Sequence, residues 1–135
     1  MLVHVPVACW LLAPLGDAAA LATGTILFWS VSALLIAIGT AWGALAALAG
    51  AMDYPRAQRI APRLVAAHAS LMGTAWTTAA LGLLGRIGSD RAVLVPAPAW
   101  AVALGICTLV LMAAGAWCGG EMVYGRGIGV GTSSD

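Results

Sequence analysis

Lysine is absent from this chain of 135 residues, and Asp, Glu and Arg together supply only 8% of it. Soluble domains carry about 25% charged residues. A chain with a third of that cannot cover its surface with polar groups, so water is excluded as the solvent for most of it. The formal net charge of +1 excludes the basic footprint of a nucleic-acid binder. The three cysteines, Cys9, Cys107 and Cys118, lie in apolar runs without CxxC or other metal-ligand spacing, which marks them as small apolar residues. No nucleophile–base pair, phosphate loop or zinc-type spacing occurs. An electron carrier or an accessory subunit is expected over a stand-alone enzyme. A small transporter or metal-handling protein is a third reading, for which the chain offers no broken helices or repeated halves.

What remains is apolar: 62% hydrophobic residues, with a mean hydropathy of +1.00. Charges and prolines divide it into four runs, about 3–22, 26–51, 64–85 and 97–118, each near the ~20 residues that cross a ~30 Å hydrocarbon core. In lipid a backbone must satisfy its own hydrogen bonds, so the runs are helices. The spacing predicts an all-α fold, an integral membrane four-helix antiparallel bundle, as a single domain over 1–135. "TGT" at 23–25 is a minimal hairpin. "DYPRAQRIAPR" at 53–63 and "RIGSDRAVLVPAP" at 86–98 read as polar loops, and 119–135 as a glycine-rich tail. The first run lacks the basic start of a cleaved leader and is interrupted by Asp17, so it reads as a span. Arg56, Arg59, Arg63 and Arg126 share the side of the termini, against Arg86 and Arg91 opposite, which predicts cytoplasmic termini.

Small residues recur at Ser32, Gly39, Gly43, Ala46 and Gly50, and again at Gly115 and Gly119, the pattern that lets helices approach closely in lipid. Trp29, Trp100 and Trp117 fall near the interfaces, and Trp10, Trp42 and Trp76 lie deeper as packing residues.

Ionisable groups inside a membrane are the default functional candidates. The topology delivers His4, Asp53, Tyr54, His68, Glu121 and Tyr124 to the end of the bundle that holds the termini. His68 shares a stripe with Met72, Ala75, Ala79 and Gly82, so it is expected to face inward. Two readings compete. In one, His4 and His68 are axial ligands of a haem b, with Asp53, Glu121, Tyr54 and Tyr124 orienting them. The chain is then a small redox module passing electrons to a partner protein, and the haem iron is its one metal. In the other, these groups form a hydrogen-bonded structural cap on a non-catalytic subunit or scaffold, with a homo-oligomer as one outcome. Asp17 lies about 20 Å along the axis from His4, at the depth where the third run ends, and Arg86 is its expected ion-pair partner.

"VHVP", Asp17, "GAMDYP", "AAH" and the closing "GGEMVYGRGIGV" together resemble the bacterial predicted membrane proteins grouped as domain of unknown function 2231. The likeness runs across nearly the whole chain and is most specific in the H-x-P opening and the Gly-Gly-x-x-Val-Tyr-x-x-Gly-x-Gly-Val close. It implies a four-span bundle with recurrent histidines in a bacterial inner membrane. Members often carry a further His-Pro ahead of the H-x-P element, upstream of these residues.

Overall fold

A computed structural model describes residues 2–88, 90, 92–93 and 95–128. Arg91 and the tail beyond Ile128 therefore lie outside the described residues. Four helices make up the chain: α1 His4–Thr23, α2 Ile26–Ile60, α3 Pro62–Leu84 and α4 Ala99–Gly120, the last followed by one π-type turn, Glu121–Gly125. The fold is an all-α bundle. Its two largest interfaces are the hairpins α1/α2 and α3/α4; α2 also packs on α3, and a thinner α1/α4 contact closes the ring.

Each join has a local cause. Gly24 takes φ 67°, a left-handed turn that only glycine adopts readily, and its N–H reaches the Ala20 carbonyl. Two residues thus reverse the chain between α1 and α2. Pro62 begins α3, where a missing N–H and a fixed φ suit a first helical turn.

The antiparallel order shows in the cross-contacts. Ser32 Oγ, early in α2, donates to the Ala13 carbonyl of α1 at 2.9 Å. Thr78 of α3 and Thr108 of α4 join their hydroxyls at 2.8 Å. Trp10, Ala75, Ala79 and Met112 form the central core, and Ala20, Trp29 and Ala97 a second cluster towards the opposite end.

The stretch 53–63 differs from the loop expected there. α2 continues unbroken through Asp53, Tyr54 and Pro55 to Ile60, and the chain turns only at Ala61. At 35 residues α2 is about 52 Å long, so its last turns outrun a ~30 Å core and place their arginines beyond it. Pro55 does not stop the helix; it only withholds one N–H, from the Ala51 carbonyl.

Among the described residues three helices are long and apolar enough to cross a membrane: α1, α2, and α4 with its terminal turn. α3 is more polar. Two hydroxyls on the outer face of α3 are nonetheless bonded within the helix, Thr74 to the Ser70 carbonyl and Thr77 to the Gly73 carbonyl, at 2.8 and 2.9 Å. Such back-bonding removes the cost of exposing a bare hydroxyl to lipid.

Candidate functional site

Between α1, α2 and α3, at the end that holds the amino terminus, lies a cavity of about 550 Å³. That falls within the ~300–1,000 Å³ of small-molecule sites. Its floor is made by Trp10 and Gly43, its walls by the faces of α2 and α3, and Met122 and Ile128 lie across it from the carboxy-terminal side.

The void follows from side-chain size. Gly39 and Gly43 are close-packing glycines: a Cβ at Gly39 would lie 2.8 Å from the Trp10 indole, and one at Gly43 3.1 Å from that of Trp76. One turn further the same face of α2 continues as Ala46, Ala47, Gly50 and Ala51, which line the cavity. A Cβ at Gly50, or at Gly73 across from it on α3, would touch no atom within 4 Å. The small-residue stripe thus has two roles. Its first half brings helices together; its second half leaves space.

His68 lines this cavity. Its Nδ1 lies 2.8 Å from the Gly115 carbonyl of α4, and its ring edge lies against Gly119, where a Cβ would stand 3.2 Å from Cε1. The Gly115/Gly119 pair therefore makes room for an imidazole and for Met72, whose sulfur lies 2.6 Å from where a Gly115 Cβ would be. A carbonyl oxygen can only accept, so Nδ1 carries the proton. In neutral His68 the lone pair is then on Nε2.

The other polar groups of the lining are few. Trp76 Nε1 donates to the Thr40 carbonyl at 2.9 Å. Trp10 is 3% exposed, with Nε1 unpartnered against Gly39 and its benzene edge towards Gly43. Tyr54 lines the cavity beside Ala51. Among the described residues, no Asp, Glu, Lys or Arg is in the lining.

The structure gathers only part of the expected cluster. His68 and Tyr54 share the cavity. His4 is exposed and does not line it, although its neighbours Val3, Pro6 and Val7 do. At 3.6 residues per turn, His4 points about 170° from the buried stripe of α1 formed by Pro6, Cys9, Trp10, Ala13, Asp17 and Ala20. The expectation that His4 faces the bundle axis beside His68 is therefore corrected. Asp53 and Glu121 are exposed, and Tyr124 is 91% exposed, away from the imidazole. Among the described residues no three His, Cys, Asp or Glu side chains converge as a metal site.

At the other end Asp17 and Arg86 meet. Arg86 Nη1 and Nη2 donate to the two carboxylate oxygens at 2.8 and 2.5 Å, with Arg86 0% and Asp17 1% exposed. Gly105 of α4 lies over the pair, and Arg86 Nε is buried without a partner. The fork-to-fork geometry is the strong form of the interaction. It ties α1 to the end of α3 and uses up the arginine's charge. Its position, sealed between helices and away from the cavity, suits a structural clasp.

Sequence reasoning overlooks the cavity itself. The available signal is glycine or alanine at 43, 46, 47, 50 and 51 facing Gly73 on the next helix. No curated protein and no solved structure matches this chain. Four helices, three of them long and apolar enough to cross a membrane, are the features of a membrane family, and the profile of the family described as "Predicted membrane protein (DUF2231)" matches residues 1–132: the chain belongs to that family.

Proposed function

We propose that this protein is a membrane-embedded binding module, holding a small apolar molecule in the cavity between α1, α2 and α3 with His68 as its polar contact. The observation that carries this is the orientation of His68. Its Nδ1 is fixed on the Gly115 carbonyl, leaving Nε2 for whatever fills a cavity of about 550 Å³. Histidines that ligate or bind are held by a carbonyl on the other ring nitrogen in the same way.

In this reading α3 is the fourth span, its polar residues satisfied internally or turned to the cavity. The termini are cytoplasmic, in a bacterial inner membrane. Arg86 is neutralised by Asp17, so the arginine excess stays with Arg56, Arg59, Arg63 and Arg126 on the side of the termini. The haem b of the redox reading has one supporting imidazole, His68. A haem here would have a single imidazole ligand, and an electron-transfer partner goes with that form alone.

The test is extraction of small molecules from detergent-purified protein, native and Gly50→Phe, with mass spectrometry and an absorption spectrum before and after dithionite. Gly50 has open space for the new ring, which would occupy the cavity. A molecule retained by the native chain and lost from the variant is the expected result; identical extracts overturn the reading.

A further inference from the structure

We infer that the occupant is a neutral, elongated amphiphile that presents a hydroxyl hydrogen to His68, in the class of long-chain or prenyl alcohols and phenols. This rests on the binding-module reading above and adds the chemistry of the ligand.

Three observations give that chemistry. The first is polarity of the hydrogen bond. With Nδ1 donating to Gly115, Nε2 of neutral His68 can only accept. Ala51 also lines the cavity, and Pro55 has no N–H to give its carbonyl. The indole donors are not available to balance these, since Trp76 Nε1 is committed to Thr40 and Trp10 Nε1 lies on Gly39. A carbonyl-headed molecule can accept from Tyr54 but leaves His68 Nε2 unmet, whereas a hydroxyl donates to His68 and accepts from Tyr54.

The second is charge. Among the described residues the lining has no carboxylate, ammonium or guanidinium group. On the 3.6-residue wheel Arg56 and Arg59 point about 140° and 160° from the cavity face of α2, and Arg63 about 155° from that of α3. A phosphate or carboxylate head would enter an apolar space without a counter-charge, at a cost that a neutral head avoids.

The third is shape. The lining runs from Gly43 to Ala57 along α2, about 21 Å at 1.5 Å per residue. The Gly/Ala strip gives that wall no relief, which suits a chain. The ω end would lie against Trp10 and Trp76 at the floor, and the hydroxyl near His68.

Those two tryptophans make the test direct. The native protein in nanodiscs is titrated with 11-bromoundecanol and with its methyl ether, at matched mole fractions in the bilayer, and tryptophan quenching is compared with that of Gly50→Phe. The part of the quenching that Gly50→Phe removes is expected to half-saturate about fivefold lower for the alcohol than for the ether, the value of one ordinary hydrogen bond. His68→Phe, which keeps a ring but has no acceptor, is expected to erase the preference. Equal half-saturation on the native chain, with quenching still lost in Gly50→Phe, overturns the hydroxyl assignment and leaves the cavity standing. Quenching indifferent to Gly50→Phe overturns the binding module and this inference together. A haem absorption band that disappears in His68→Phe also overturns it, by making iron the partner of Nε2. Gly73→Phe, whose Cβ also meets nothing within 4 Å, supplies the same subtraction should Gly50→Phe fail to fold.

Discussion

Truncating Arg86 to methionine deletes the guanidinium and leaves the Asp17 carboxylate, 1% exposed, with its hydrogen-bond partner gone. Removing one member of a buried pair costs about 3–5 kcal/mol, because the remaining charge is both desolvated and alone. Exchanging both for apolar groups of similar volume is neutral or even stabilising, by about 1–4 kcal/mol. Here both carboxylate oxygens are engaged, and the buried Arg86 Nε has no partner to retain, so the pair sits near the upper end of interdependence. Arg86→Met and Asp17→Leu are each expected to lose about 3–5 kcal/mol, and the double variant less than either single. The assay is a double-mutant cycle on reversible unfolding in mixed micelles. Additive single losses, or a double variant worse than both singles, would refute a clasp whose cost lies in the unpaired charge.

Three further outcomes follow from the same geometry. Gly39→Ala is expected to destabilise by about 1–3 kcal/mol, since its new methyl overlaps the buried Trp10. Gly50→Ala, in open space, should be neutral or gain up to about 1 kcal/mol of helix propensity; the same unfolding assay reads both, and equal effects would deny the stripe its two halves. Ser32→Ala, which loses the bond to the Ala13 carbonyl, should cost about 0.6 kcal/mol, the average for interhelical hydrogen bonds in a bilayer. Cysteines placed at Gln58 and at Asp90 should label from opposite sides of the membrane, and labelling from one side would break the antiparallel four-span order.

How much of this can be read from the letters depends on how local the cause is. The α1–α2 hairpin is written in "TGT", because one glycine supplies the left-handed turn. The depth shared by Asp17 and Arg86 follows from helix rise alone. The end of α2 is less legible: proline at 55 looks like a loop marker, yet a helix already running tolerates it at the loss of one bond. The side on which His4 lies is not legible either. α1 is apolar around its whole circumference, with Leu11, Leu12 and Leu15 on the outside, so no hydrophobic face indicates which residues turn inward. The cavity is hidden for a third reason. Glycine and alanine at four-residue spacing describe close packing and empty space equally well, and only the partner side chains, Trp10 at Gly39 and none at Gly50, decide between them.

The central claim is that His68 is held with its proton on Nδ1 and its lone pair available on Nε2. With only two histidines in the chain, nitrogen-15 NMR of the histidine-labelled protein in nanodiscs resolves them, and His68→Phe assigns the signals. The account predicts a protonated, pyrrole-type Nδ1 and a pyridine-type Nε2 for His68, with the Nε2 signal alone moving when an alcohol is added. A pyridine-type Nδ1, or an Nε2 that does not respond, would contradict it.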